Sequence, residues 1–418
     1  MKRDSANPTN DAHAAAAFAA RTSFGRLVSW LAWQWRDIAA AEDALSEALL
    51  KALQRWPREG IPASPDAWLL AVAKRELLQM ARHDKVRFDP AVMALLEQQE
   101  SDGQSADHAL EIRIPDARLK LLFVCAHPAI DQKIRAALML QTVLGLQAAE
   151  IAPAMLISPT TLAQRLVRAK QKIRDAGLRF EEPEAAELPR RLHDVLEAIY
   201  AAFGLSADAV DGAESRVTDL QQEAMFLCSL VVELMPRAAE AQGLLALMSL
   251  VQARRKAQFS AQGEFIPLAL QDMTLWDRGA ILHADQLLWQ AAKLRQPGPF
   301  QLEAAIQSAH CHRLFGGSTP WQGIAQLYAQ MNQFYPTAGS LVAGAVALAE
   351  AGNPAQGMAQ LIAMDEKLTV NFQPWWVAKA HLLTLQGRDK EAQIALQTAI
   401  GLTTDVRLRR FLEMKKAA

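Results

Sequence analysis

A stretch near the middle of the chain, SPTTLAQRLVRAKQKIR over residues 158–174, carries five basic residues and no acid. Threonine and glutamine side chains can hydrogen-bond base edges, and arginine and lysine can bind phosphates. These residue types indicate non-covalent contact with nucleic acid, with a solvated face of a packed helix as the alternative. The candidate contact residues are Thr160, Thr161, Gln164, Arg165, Arg168 and Lys172, and Lys170 and Arg174 are further candidates for phosphate contact.

The periodicity of the same stretch predicts a helix with one apolar face. That face comprises Leu162, Leu166, Ala169 and Ile173. Ser158 suits the N-cap and Pro159 the first helical position. Upstream, LGLQAAEIAPAMLI predicts a shorter helix and a turn, and Pro153 should kink or shorten that helix. A short helix, a tight turn and a polar-faced helix form a helix-turn-helix, whose second helix enters the major groove of DNA.

Composition limits where such binding can occur. The 418 residues include 44 Lys and Arg against 45 Asp and Glu, so any anion-binding role must be local. Three widely spaced cysteines fit a reducing compartment better than a disulfide scaffold. No stretch approaches the roughly 20 apolar residues of a membrane span. We therefore expect a soluble, cytoplasmic protein with no membrane partner.

The order of helical blocks predicts the domain organisation. Helix-forming residues are abundant and alternating β-branched runs are almost absent, which predicts an all-α fold. A polar stretch at 97–109 and an acidic one at 180–189 separate the blocks. We predict a first small helical domain at 15–90, a linker at 91–114, a second domain with the helix-turn-helix at 115–180, and a helical extension at 188–418.

The end of the extension has the spacing of a tetratricopeptide helix pair. Its packing positions are Trp376, Ala380, Leu383, Gly387, Ala392, Leu396 and Ala399. Part of the pattern occurs about 35 residues earlier, close to the expected period, at Ala345, Leu348, Gly352, Gly357 and Leu361. An ordinary stack of helical hairpins is the alternative.

Other reactive residues predict no catalytic or metal site. His310, Cys311 and His312 are adjacent in the sequence, and adjacent side chains on a helix point apart instead of converging on a metal. Cys125 and His127 read as a buried thiol and a helix-end histidine. We therefore expect no enzyme activity, no cofactor and no bound metal.

Several segments resemble the extracytoplasmic-function RNA polymerase sigma factors, all-α proteins that direct initiation of transcription. AAAEDALSEALLKALQRWP and SPDAWLLAVAKRELLQMAR resemble their second region, and LGLQAAEIAPAMLISPTTLAQRLVRAKQKIRDAG resembles the helix-turn-helix of their fourth region. IPDARLKLLFVCAHPAI, LLALMSLVQARRKA, LALQDMTLWDR and QPGPFQLEAAIQSAH are similar to landmarks of the subgroup with a long tetratricopeptide-like extension. The resemblance covers nearly the whole chain in the family's order.

The resemblance implies partners and residue roles. Region 2 would bind the β′ clamp helices of core RNA polymerase, region 4 would bind the β flap, and both would contact promoter DNA. The implied polymerase contacts are Glu42, Asp43, Glu47 and Leu50; the implied −10 contacts are Lys74, Arg75 and Arg82. The helix at 159–174 would read the −35 element, and the extension would regulate activity and is a possible docking site for a protein regulator.

The chain departs from the subgroup pattern in both DNA-binding segments. Arg75, Glu76, Gln79 and Met80 replace the Asn, Arg, Asp and basic residue that the subgroup usually shows, so this helix is less basic. Pro153 lies within the first helix of the helix-turn-helix. These departures support an alternative, in which the chain is a degenerate sigma factor that acts mainly as a helical-repeat protein-binding module.

Overall fold

The computed structural model describes residues 8–83, 117–155, 157–175, 186–205 and 214–417. Within these ranges the regular secondary structure is helical, apart from an isolated bridge between Phe259 and Phe265, which confirms the predicted all-α fold. The chain forms two compact units, Met1–Val231 and Val232–Ala418. The predicted linker at 91–114 lies outside the described residues.

Four helices form the first part of the N-terminal unit. Helices α1 to α4 span Pro8–Thr22, Phe24–Trp35, Ile38–Glu59 and Pro65–His83. Asp37 starts α3, because its carboxylate accepts a hydrogen bond from the backbone N–H of Ala40 at 3.0 Å. The core of this part includes leucines from α2, α3 and α4, and Leu31, Leu45 and Leu77 are at most 1% exposed.

The second part of this unit contains the helix-turn-helix. Its helices are α5 over 117–125, α6 over Gln132–Thr142, α7 over Ala148–Ile151 and α8 over Pro159–Asp175. A 3-10 turn over Ala152–Met155 follows α7 directly, so the helix ends just before Pro153. This confirms the predicted shortening, because proline cannot donate a backbone hydrogen bond and crowds the preceding turn.

Two further helices, α9 over Leu188–Leu205 and α10 over Glu214–Leu234, follow in the sequence. Arg135 of α6 forms an ion pair with Asp194 of α9 at 2.6 Å. Arg191 of α9 donates a hydrogen bond to the carbonyl oxygen of Phe123 in α5 at 3.0 Å. The start of the predicted extension therefore packs on the helix-turn-helix part, and the division between the compact units falls later, after Val231.

The C-terminal unit is built from successive helices. Most are joined by short turns, whereas α11 and α12 are joined by residues 254–277, which contain three 3-10 turns. Helices α11 to α15 span Ala239–Ala253, Arg278–Lys293, Pro299–Cys311, Trp321–Phe334 and Ala338–Glu350. Helices α16 to α20 span Pro354–Ile362, Glu366–Thr369, Gln373–Leu385, Asp389–Leu402 and Val406–Ala417.

Helical hairpins occur where the repeat spacing predicts them. The α15–α16 and α18–α19 pairs turn at Gly352 and Gly387, whose φ angles of 96° and 71° favour glycine. At Gly357 a Cβ atom would overlap the carbonyl oxygen of Ala345, so glycine permits the close approach of α15 and α16. The hairpins match the predicted packing positions, whereas a tetratricopeptide architecture remains a prediction.

Candidate nucleic-acid interface

The outward face of α8 is exposed along its length. Thr160, Thr161, Gln164, Arg165, Arg168 and Lys172 all have exposed side chains. On the opposite face, Leu162, Leu166, Ala169 and Ile173 are 0–8% exposed. Each face of the helix therefore has the exposure that its residue types predict, and the six candidate DNA-contact residues are accessible.

The start of α8 is fixed by its N-cap. The hydroxyl of Ser158 accepts a hydrogen bond from the backbone N–H of Thr161 at 3.1 Å and shares a second one with the Thr161 hydroxyl at 2.8 Å. This cap satisfies one of the free amides of the first turn. It also holds Thr161 in a defined orientation at the end of the helix that would enter a groove.

The two remaining basic residues of α8 turn toward the first four helices. Lys170 Nζ lies 2.5 and 2.8 Å from the two carboxylate oxygens of Glu42 in α3, and both side chains are at least four-fifths buried. Arg174 Nε lies 3.0 Å from a carboxylate oxygen of Asp37. Lys170 and Arg174 were both candidates for phosphate contact. In this arrangement their charges face protein carboxylates, and phosphate contact by either residue stays a prediction.

Burial makes the Glu42–Lys170 pair electrostatically costly. Burial raises the pKa of Glu42 above its usual value, and the nearby Lys170 opposes that rise without cancelling it. In the same unit, α2 also approaches the end of α6 closely, since a Cβ atom at Gly25 would overlap the carbonyl oxygen of Val143, the residue after α6. The first four helices and the helix-turn-helix part thus form a closed arrangement held by ion pairs and by a close backbone approach.

Helix α4 presents fewer free charges than α8. Arg75 and Arg82 are exposed, whereas Lys74 lies over the ring of Trp30, with 4.3 Å between Nζ and the ring centroid. Glu76 forms an ion pair with Lys51 of α3 at 2.5 Å. The acid at position 76 is therefore satisfied within the protein.

The four residues implied in polymerase binding lie on α3 in different environments. Asp43 and Leu50 are exposed, with Leu50 at 53%, and Glu47 is half-buried. Glu42 faces Lys170 and is not free in the closed arrangement. Sequence reasoning missed this pair because its members are separated by 128 residues, and no local pattern indicates their contact.

The candidate reactive residues have ordinary structural environments. Cys125 is fully buried, its sulfur lies 3.7 Å from the Thr142 hydroxyl, and burial raises the pKa of its thiol to about 12. A thiol with this pKa is a poor nucleophile at neutral pH. Across the described ranges, no group of three or more His, Cys, Asp or Glu side chains is arranged to hold a metal ion. None of the helices in these ranges is both long and apolar enough to cross a membrane.

Comparison with known proteins identifies two segments. Residues 21–87, which include α2 to α4, match sigma-70 region 2. Residues 191–292 match a family of unknown function, DUF6596. No solved structure matches the chain significantly.

Two similar proteins extend these matches. The chain is 33% identical over 382 residues to the uncharacterized protein R00370 of Rhizobium meliloti, which covers 91% of this chain and 90% of that protein. It is 29% identical over 150 residues to the protein named Probable RNA polymerase sigma factor RfaY of Xanthomonas campestris pv. campestris, covering 35% of this chain and 36% of that protein. The chain belongs to the same family as R00370, and its region 2 supports membership of the sigma-70 family and a role as a sigma factor.

Proposed function

We propose that this protein is a sigma factor that binds core RNA polymerase and directs promoter-specific initiation of transcription. The observation that carries the proposal is the outward face of α8, which offers Thr160, Thr161, Gln164, Arg165, Arg168 and Lys172 on a well-capped helix. The match to sigma-70 region 2 and the name of the RfaY relative support it. Such a protein performs no covalent chemistry and works in the cytoplasm with polymerase.

In this proposal α8 reads the −35 element from the major groove. Gln164 and Arg165 can form bidentate hydrogen bonds with base edges, and Arg168 and Lys172 can neutralise phosphates further along the helix. The threonines of the first turn supply hydroxyl groups where a recognition helix meets bases. All six side chains are exposed and therefore available for these contacts.

The −10 element would be contacted by α4, with Arg75 and Arg82 as the accessible cations. Lys74 would join them after moving away from Trp30, because its ammonium lies over that ring. Asp43, Glu47 and Leu50 of α3 would bind the β′ clamp helices, and the helix-turn-helix part would bind the β flap. Glu42 joins the polymerase contact once it separates from Lys170.

Promoter binding would require the closed arrangement to open. Elements centred at −10 and −35 are roughly 25 base pairs apart, which is about 85 Å of B-form DNA at 3.4 Å per base pair. The Glu42–Lys170 and Asp37–Arg174 pairs instead keep the two DNA-binding parts adjacent. We infer that polymerase replaces these contacts, and that the C-terminal extension biases the equilibrium between the closed and open forms.

The test is run-off transcription with purified core polymerase, together with promoter binding measured over a range of salt concentrations. We expect a complex with core polymerase and a promoter affinity that falls steeply with salt. An Arg165→Ala, Arg168→Ala double variant should lose promoter binding but still bind polymerase. Arg388→Ala, which removes an exposed arginine of the extension, is the matched control. Absence of a polymerase complex at every salt concentration would exclude the proposed function.

A second candidate function is a degenerate sigma factor that acts mainly as a protein-binding module. Glu76 on the proposed −10 helix favours it. This acid lowers the positive charge that α4 offers to DNA, and it takes Lys51 of α3 as its ion-pair partner. The extension would then bind a protein regulator through its helical hairpins. Recovery of a specific protein partner by residues 188–418 in the context of the whole chain, without recovery of polymerase, would support this function over the first.

A further inference from the structure

A buried arginine of the C-terminal unit has no acidic partner. Arg254 follows α11 directly, is 8% exposed, and donates a hydrogen bond from Nε to the carbonyl oxygen of Leu250 at 3.1 Å. Its Nη2 donates to the side-chain oxygen of Gln307 in α13. Its Nη1 is buried and makes no hydrogen bond to any part of the chain that the structure describes. One strong donor of a fully charged group is thus left unsatisfied.

A second unsatisfied donor lies beside it. Trp276 is 5% exposed, and its Nε1–H also lacks a hydrogen-bond partner within the described residues. The ring centroid lies 5.9 Å from the guanidinium carbon of Arg254 and 5.7 Å from that of Arg313. A backbone hydrogen bond of 2.9 Å from Asp277 to Ala253 holds Trp276 next to the end of α11. We refer to Arg254, Trp276 and Arg313 as the arginine–tryptophan cluster.

The cluster carries two positive charges and no described negative charge that pairs with them. Arg313 donates to the backbone carbonyl of Leu268 at 3.1 Å, and neither arginine forms an ion pair with a described acid. Asp285, whose charge acts on Cys311 nearby, accepts a hydrogen bond from Ser308 at 2.6 Å. Burial lowers the pKa of Arg254, and burial together with Arg254 and Arg313 lowers the pKa of His310 to about 4.

The buried arginines of the N-terminal unit differ from Arg254, because each of them has an acidic partner. Arg118 and Arg191 form ion pairs with Glu223 and Glu187, respectively. Buried charges in proteins are normally paired, because an uncompensated charge loses its hydration without gaining a partner. Attraction to the face of Trp276 compensates Arg254 only in part and leaves both unsatisfied N–H donors unchanged.

We propose that the arginine–tryptophan cluster is a binding site for a small molecule that carries an oxyanion, either a phosphate or a carboxylate group. The unsatisfied Nη1 of Arg254 can donate charge-assisted hydrogen bonds to either oxyanion, and the indole N–H of Trp276 adds a group that only donates. Arg254 and Trp276 are the direct ligands, and Arg313 contributes a second positive charge. The binding itself does not depend on the sigma-factor role of the N-terminal unit.

The first test is isothermal titration of the full chain at pH 7.5 with inorganic phosphate, acetate and citrate in separate arms, at constant ionic strength. Saturable binding in the phosphate arm or in a carboxylate arm identifies the oxyanion class. Arg254→Met should weaken this binding by about tenfold or more, as expected for loss of a charged hydrogen-bond donor. Arg388→Met, which changes an exposed arginine, should bind as the wild type does. No saturable binding in any arm, or equal binding by Arg254→Met, would overturn the proposal.

Thermal unfolding supplies a second readout. In chloride buffer Arg254→Met should unfold at the same or a higher temperature than the wild type, because it removes an uncompensated buried cation. The preferred anion at about 100 times its dissociation constant should raise the wild-type midpoint by several degrees and leave Arg254→Met unchanged. An equal rise in both proteins would indicate a general salt effect and overturn the proposal.

Trp276→Phe keeps the test decisive if Arg254→Met does not fold. This variant retains the aromatic ring and removes only the Nε1–H donor, so anion affinity should fall several-fold. In the wild type, a bound anion should also raise the pKa of His310, measured from its ring C–H resonances, because it offsets the charges of the two arginines. Unchanged affinity in Trp276→Phe combined with an unchanged His310 pKa would contradict the proposal.

Discussion

The two helices proposed to contact DNA, α4 and α8, differ in how the protein uses their charged residues. On α8, Lys170 and Arg174 form ion pairs with Glu42 and Asp37, and the other basic side chains stay exposed. On α4 an acid, Glu76, is satisfied by Lys51 of a neighbouring helix. The charge that each helix offers to DNA is therefore set by its protein neighbours as well as by its own sequence.

The comparison also separates two kinds of basic residue on α8. Arg165, Arg168 and Lys172 on the outward face have no carboxylate partner within the part of the chain that the structure describes, as expected for DNA contacts. Lys170 and Arg174 instead form the ion pairs that hold the closed arrangement. A single helix thus serves both the proposed open form and the closed form, and substitutions on its different faces should have separable effects.

The largest expected effect concerns the inward face of α8. Leu166 is 1% exposed, and Leu166→Ala should lower the free energy of unfolding by about 2–5 kcal/mol because it leaves a cavity in the core. Arg168→Ala on the outward face should change it by less than about 0.5 kcal/mol. Chemical denaturation of both variants measures the difference, and similar losses in the two variants would show that the faces are not distinct.

The next effect concerns the ion pair between α8 and α3. Lys170→Met leaves Glu42 without its partner, which should destabilise the closed arrangement by about 3 kcal/mol. Promoter binding should therefore strengthen in this variant. A double-mutant cycle with Glu42→Gln measures the coupling between the two residues. Zero coupling, or weaker promoter binding by Lys170→Met, would contradict a restraining role for the pair.

A smaller effect is expected from each cation on the DNA-facing surfaces. Arg165→Ala should weaken binding to the preferred promoter by about 1–3 kcal/mol and relax specificity in the −35 element. Arg82→Ala on α4 should weaken binding more uniformly and reduce the salt dependence by about one counterion. Titrations of promoter variants at several salt concentrations measure both quantities. Equal specificity in wild type and Arg165→Ala would argue against base reading by α8.

The smallest effect is a dependence of the closed arrangement on pH. The pKa of Glu42 is raised in the closed form, so the closed form binds a proton more readily than the open form does. Its stability should increase as pH falls through the raised pKa toward the ordinary glutamate value, and decrease as pH rises through that range. Distance measurements between labels on α3 and α8 would follow the equilibrium. Glu42→Gln is the control and should lack this dependence.

The spacing of residue types along the chain predicted those features of the candidate site that depend only on residues close together in the sequence. Leu162 and Leu166 lie inward and Arg165 and Arg168 outward, as the helical period indicates. The end of α7 before Pro153 likewise follows from the chemistry of proline alone. The burial of Cys125 was also predicted, since cysteine is commonly buried when it forms no disulfide.

Contacts between distant segments were not predictable in this way. Sequence reasoning treated Glu42 as a polymerase contact, and it had no means of pairing it with Lys170 in a segment predicted as another domain. The division between compact units after Val231 also differs from the predicted start of the extension at 188, because α9 packs on α5 and α6. Both outcomes depend on which surfaces meet after folding.

The sequence by itself determined the helices, the two faces of α8 and the shortened helix before it, because these features depend on residues within a few turns of one another. Only the tertiary structure decided which charges are neutralised and which stay free. Lys170 meets Glu42, Lys51 meets Glu76, and Arg254 meets no described acid. The physical reason is that electrostatic pairing and burial depend on distance in space, and folding brings together charges that lie far apart along the chain.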